Sequence, residues 1–230
     1  MIPMDAPFID LHTHHTRIDS GLYSYGIHPW HVETDRDTGL LEHLLEEGRL
    51  AAIGETGIDR IHKDTLSLQL DVFEKHIQLS EYYQKPLIIH NVKATADLMR
   101  FHKKYQPRQT WIIHGFNGSV EEMAQLVGCS CCLSVGESIF YTNRKISKSI
   151  LSIPLDYLFL ETDTSEKTIQ QIYEKAAELL NLSVDQLRKQ LFSNFVRLNL
   201  KGWKTGNNVT DCSSAPIALR NLEKEQIGIS

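Results

Sequence analysis

Phe8-Ile9-Asp10-Leu11-His12-Thr13-His14 is a short apolar run that ends in two histidines two residues apart. If the run is a strand, its alternation points both imidazoles to one side, where they can share a metal ion. A buried or solvated histidine pair is the plainer alternative, and the stretch alone does not separate the two. The decision rests on what other strand ends bring beside it.

The chain has 230 residues, 41% of them hydrophobic, enough to bury a substantial core. One domain is expected over residues 1–200, with a peripheral or loosely ordered tail over 201–230. Lys plus Arg number 24 and Asp plus Glu 29, a net charge of −5 that argues against broad adhesion to nucleic acid or anionic membrane. Met1-Ile2-Pro3-Met4-Asp5 has no basic region leading into an apolar core, and no apolar stretch is long enough to span a bilayer. A cytoplasmic protein without membrane contact is expected, and a monomer. Cys129, Cys131 and Cys132 lie in a small apolar segment far from Cys212, without zinc-ribbon spacing, and read as reduced core cysteines.

Strand-like runs fall at 7–12, 24–28, 51–55, 86–90, 111–114, 131–135 and 157–162, seven in all. Helical spacing is strongest over 66–83, where Leu66, Leu70, Phe73 and Ile77 recur and Pro86 follows as a stop. Further helices are expected at 39–47, 94–104, 119–127, 144–151, 166–180 and 183–192, the last opened by a capping box of Ser183 with Gln186. Alternating strands and helices imply an α/β fold with a parallel sheet or barrel. In the tail, Ile217 to Leu222 reads as a possible short helix.

Several strand runs end in a metal-binding side chain. Ala51-Ala52-Ile53-Gly54-Glu55 delivers a carboxylate, Leu87-Ile88-Ile89-His90 and Trp111-Ile112-Ile113-His114 each an imidazole, and Leu158-Phe159-Leu160-Glu161-Thr162-Asp163 a second carboxylate. In a parallel barrel the carboxyl ends of all strands meet on one face. His12, His14, Glu55, His90, His114 and Asp163 would therefore converge, enough donors for two metal ions with one carboxylate bridging.

Asp10-Leu11-His12-Thr13-His14, Gly26-Ile27-His28-Pro29-Trp30-His31, Gly54-Glu55-Thr56-Gly57-Ile58-Asp59, Pro86-Leu87-Ile88-Ile89-His90, His114-Gly115-Phe116-Asn117-Gly118, Glu161-Thr162-Asp163 and Ser193-Asn194-Phe195 follow one another in an order that resembles the TatD-type metal-dependent deoxyribonucleases of the amidohydrolase-like superfamily. The resemblance implies a TIM-like (β/α) barrel, a binuclear metal site and phosphodiesterase activity on DNA. It also implies roles: His12, His14 and Asp163 on one metal, His90 and His114 on the other, Glu55 bridging.

This chain departs from that pattern in three places. Only thirteen residues separate His14 from His28, where the family usually has a helix, a strand and a second helix; with seven strands counted, an incomplete barrel is expected. After Asp163 the usual Pro-rich loop with its Arg-Gly and Asn-Glu-Pro element is missing, and Asn91-Val92-Lys93-Ala94 follows His90 where the family has a Thr-Arg pair. Metal chemistry is expected to persist while substrate recognition is rebuilt or lost.

The expected reaction is metal-assisted hydrolysis of DNA or a small phosphoester, with Asp163 and Glu55 catalytic and Asp163 doubling as general base. The cofactors expected are two divalent ions, zinc or manganese first, with magnesium, iron or nickel also compatible. His28, Arg17, Lys63 and Lys93 are candidates for substrate contacts, Tyr23, Tyr25 or Trp30 for stacking on a base, and Asp10 for orienting a ligand histidine. Each also has an ordinary reading as a surface, loop or core residue; for Asp163 that reading is a helix N-cap. Two other functions compete: hydrolysis of another bond, as in PHP-type phosphoesterases or amidohydrolases, and non-catalytic metal binding on a retained fold.

Overall fold

Apolar runs bounded by polar turns form eight parallel strands in the computed structural model, which describes residues 6–15, 22–198 and 217–227. In chain order the elements are β1 (Ile9–Thr13), β2 (Tyr23–Tyr25), α1 (Gly39–Glu46), β3 (Ala52–Asp59), α2 (Leu66–Tyr83), β4 (Leu87–Val92), α3 (Thr95–Tyr105), β5 (Trp111–Ile113), α4 (Val120–Gly128), β6 (Cys132–Val135), α5 (Ile146–Ser149), β7 (Leu158–Leu160), α6 (Ile169–Leu180), α7 (Val184–Arg197), β8 (Ile217–Asn221) and α8 (Lys224–Ile227). The sheet order is β1-β8-β2-β3-β4-β5-β6-β7. It closes where Thr13 bridges Asp163: the Asp163 N–H donates to the His12 carbonyl at 2.9 Å and the His14 N–H to the Asp163 carbonyl at 3.1 Å. The fold is the expected TIM-like barrel.

The strand count differs from the expected seven, and the eighth comes from the tail. Ile217–Asn221 is a strand rather than a short helix, and it lies between β1 and β2 instead of at the periphery. The physical reason is that β1 ends at Thr13 and β2 begins at Tyr23, and among the described residues β8 alone pairs their facing edges. Backbone groups at such edges need partners, and β8 supplies them: Ile217 N–H to Phe8 O at 2.8 Å, Arg220 N–H to Leu22 O at 3.2 Å, Leu222 N–H to Ser24 O at 2.8 Å. Residues 201–216 and 228–230 of the tail, Cys212 among them, lie outside the described residues.

Two apolar layers hold the barrel. Ile88, Ile112, Phe159 and Leu219, all fully buried, belong to one cluster. The first three precede His90, His114 and Glu161 by two residues, so by strand alternation they share a face with them and floor the site. The opposite strand faces, with Ile89, Ile113 and Leu160, pack against Phe73, Ile77, Leu98 and Leu187 of the surrounding helices. The capping box at Ser183 and Gln186 forms as expected. Asn194 of α7 ties that helix to the start of β7, donating to the carbonyls of Leu155 and Leu158 at 2.6 and 2.9 Å. Cys131 and Cys132 are buried free thiols, and burial holds the Cys132 pKa up at about 11. Among the described residues no helix is long and apolar enough to cross a membrane.

Candidate metal centre

The strand ends bring the six expected donors together, with the Glu55 carboxylate at their centre. Oε2 of Glu55 lies 3.4 Å from His12 Nε2 and 3.5 Å from His14 Nε2. Oε1 lies 2.7 Å from His90 Nδ1, 2.6 Å from His114 Nε2 and 3.1 Å from His28 Nε2. Asp163 Oδ1 approaches His12 and His14 from the far side at 3.9 and 3.7 Å. Among the described residues three groups could each hold an ion: His12, His14 and Glu55; His12, His114 and Asp163; and His28, Glu55 and His90. His28, expected near the site as a substrate contact, therefore stands among the donors. Asp163 is not the N-cap of α6, a place that Thr168 takes. It sits at φ +51°, in the left-handed region that aspartate tolerates better than most residues.

Behind the imidazoles stands a second set of carboxylates. Asp59 Oδ2 is 3.5 Å from His90 Nε2 and accepts the Trp30 indole N–H at 2.7 Å. Glu161 Oε1 is 3.6 Å from His114 Nδ1 and accepts the Gly115 N–H. Glu223 Oε1 is 2.9 Å from His14 Nδ1. Sequence reading missed all three roles, although Asp59 and Glu161 stand in the motifs it singled out. Asp10 is fully buried but touches no site histidine; it accepts from the Thr162 N–H and hydroxyl at 2.9 and 2.7 Å, bracing the segment that carries Asp163. The close approach of β3 to β4 needs a glycine: a Cβ on Gly57, at φ +147°, would lie 2.1 Å from the His90 carbonyl.

The charges fit a cation. Burial works against ionising Glu55, yet His114 and the other imidazoles hold its pKa well below the usual carboxylate range. Burial opposes protonation of His14 too, but the bonds to Glu223 and Glu55 raise its pKa to about 9. The carboxylates thus draw positive charge onto His14 and His114. His12 Nε2 is fully buried between Glu55 and Asp163 without a hydrogen-bond partner. An orphaned imidazole nitrogen facing two carboxylates is what a bound divalent ion would satisfy, so these residues fit a metal.

The family profile described as TatD-related DNase matches residues 11–199. The chain belongs to that family. An uncharacterized metal-dependent hydrolase of Haemophilus influenzae is 29% identical over 161 residues, covering 66% of this chain and 62% of that protein, under two thirds of its length. The Escherichia coli metal-dependent hydrolase YjjV is 25% identical over 189 residues, covering 74% of this chain and 73% of that one. The crystal structure of YjjV, a TatD homologue, superposes with a TM-score of 0.71 at 25% identity over 76% of each chain. A TatD-family hydrolase of Entamoeba histolytica shares the fold at a TM-score of 0.69 and 16% identity, covering 85% of this chain and 99% of that one.

On this TatD scaffold a cavity of about 680 Å³ opens over His14, His28, Glu55, His90, His114 and Asp163. A second, of about 670 Å³, meets it at Asp163 and Thr164. Tyr25 and the half-exposed Trp30 line the first. Lys63, in a turn after β3, and Lys93, at φ +55° after β4, are exposed and line neither cavity. Arg17 lies outside the described residues.

Proposed function

We propose that the protein hydrolyses phosphodiester bonds, in DNA or in smaller phosphoesters, with two divalent cations held around Glu55. One observation carries this reading: a single buried carboxylate is shared between His12 and His14 on one oxygen and His28, His90 and His114 on the other. His12, His14 and Asp163 would hold one cation and His90 and His114 the second, with His28 in reach of the latter and Glu55 bridging. When bound, the cations supply Lewis-acid activation of water and offset charge developing on the phosphoryl oxygens. Mixed imidazole and carboxylate donors suit zinc or manganese, and also iron or nickel, better than magnesium.

The chain's own residues have separable tasks. Asp163 would take the proton released by the attacking water. Burial, and then nearby Glu161, raise its pKa above that of an ordinary aspartate, which makes it a better base, and its side chain is 36% exposed toward the cavities. Glu55 stays ionised and accepts only. Trp30, on the cavity rim and held by Asp59, offers a face for a base to stack on.

A second reading, hydrolysis of a less charged ester or of an amide, is favoured by the lining of the main cavity. Among its described residues Lys224 is the one Lys or Arg, and Asp35 already binds it at 2.7 Å. The test is hydrolysis of single-stranded DNA and of a chromogenic phosphodiester by protein loaded with manganese or zinc. Activity that chelation removes, and that falls roughly 10²–10⁴-fold in Asp163→Asn, is the expected result. Metal-loaded protein that leaves every phosphoester intact but cleaves an amide or lactone would replace the first reading with the second.

A further inference from the structure

Three of the site imidazoles have a carboxylate behind them, and the three come from different places in the chain. Asp59 and Glu161 lie inside the stretch that matches the family, residues 11–199. Glu223 lies beyond it, just after β8, the strand that sits between β1 and β2. That strand therefore brings site residues as well as backbone pairing. Asn221, at its end, accepts the Glu55 N–H at 3.2 Å through Oδ1. Its Nδ2 donates to Glu223 Oε1 at 3.4 Å, and that same oxygen meets His14 Nδ1 at 2.9 Å.

We propose that Glu223 is a positioning residue, delivered by the C-terminal strand, which fixes the ring orientation and tautomer of His14. The inference rests on the reading of His14 as a metal-holding residue. With a cation in place of its second proton the ring would be neutral: Nδ1–H stays donated to Glu223, and the Nε2 lone pair faces the side of Glu55 Oε2, at 3.5 Å, and Asp163 Oδ1, at 3.7 Å, where the cation would sit. Glu223 is itself held by Asn221, whose Nδ2 donates to the same carboxylate oxygen. A carboxylate restrained in this way limits rotation of an imidazole that is otherwise a quarter exposed. Metal affinity in this chain then depends on residues that the family match does not include.

The experiment is calorimetric titration of manganese into the full chain stripped of metal. Wild type is compared with Glu223→Ala, Glu223→Gln, Lys224→Ala and His14→Ala, each checked for folding by circular dichroism. Glu223→Ala is expected to weaken one manganese site about 10–100-fold, the usual range for losing a carboxylate behind a ligand histidine. Glu223→Gln, which keeps an acceptor without the charge, should weaken it less, and Lys224→Ala, which touches neither His14 nor Glu223, should match wild type. In the zinc-loaded protein, nitrogen-15 spectra should show His14 protonated at Nδ1, a signal lost in Glu223→Ala. Unchanged affinity in Glu223→Ala alongside a lost site in His14→Ala would overturn the inference and leave the metal reading standing. Equal weakening by Lys224→Ala would also overturn it, since anchoring of the segment would then be the cause. Wild-type binding by His14→Ala would overturn the metal reading itself.

Discussion

Protonating His76 must cost the fold stability, because both of its ring nitrogens are already committed. The side chain is fully buried in α2. Nδ1 donates to the Val72 carbonyl at 2.8 Å, so Nε2 carries a lone pair and accepts the Ile27 N–H at 3.1 Å. Only the neutral ring does both, and burial lowers its pKa from 6.5 to about 4. The sign follows from proton binding. Above pH 6.5 neither state holds the extra proton; as pH falls below it the unfolded chain takes one up while the native ring does not, and stability declines. At about 1.4 kcal/mol per pKa unit, the loss between pH 7.5 and pH 4.5 is about 2.5 kcal/mol.

Urea unfolding of chelator-treated protein at several pH values, for wild type and His76→Phe, isolates this contribution from the titrating carboxylates that both proteins share. At pH 7.5 the variant should be less stable by about 1–3 kcal/mol, the cost of leaving the buried Ile27 N–H without an acceptor. By pH 4.5 the gap should close or reverse. Parallel stability curves across that range would refute the reasoning. The effect reaches the site, because Ile27 precedes His28 and protonation removes the bond that seats that segment on α2.

Two further outcomes test how β8 and β1 are held in the barrel. Leu219→Ala, in the core beneath the site, should lower stability by about 2–5 kcal/mol in urea unfolding if β8 is an internal strand, and by almost nothing if the segment is peripheral. Tyr173→Phe removes the hydroxyl that accepts the Ile9 N–H at 3.0 Å and donates to the Ile9 carbonyl at 3.1 Å, and should cost about 1–3 kcal/mol in the same assay.

Sequence was most legible where local chemistry and global fold agree. The period of Leu66, Leu70, Phe73 and Ile77 marks a helix whose bounds match α2, Leu66–Tyr83. Runs such as Leu87 to His90 announce both the strand and its donor, since in a parallel barrel a strand's carboxyl end is where its site residue stands. Distances between elements carry no such signature. Asp59 and Glu161 sit in conspicuous motifs, yet their facing of His90 and His114 depends on how neighbouring strands are staggered. Lys63 and Lys93 follow strands and looked poised for phosphate, but their turns leave them at the surface, away from both cavities.

The strand β8 was illegible for a stronger reason. Ile217-Ala218-Leu219-Arg220-Asn221 is short, carries a strand-averse asparagine and shows no decisive period. What makes it a strand is the pair of open edges left by β1 and β2, about 200 residues earlier in the chain. Those edges cannot be satisfied until the C-terminal segment arrives, and long-range pairing of this kind is slow and entropically costly to form. The same event brings Asn221 to the Glu55 amide and Glu223 to the His14 ring. Pairing of the C-terminal strand and delivery of these two side chains to the candidate metal centre are therefore coupled, so loosening that strand should weaken metal binding as well as stability.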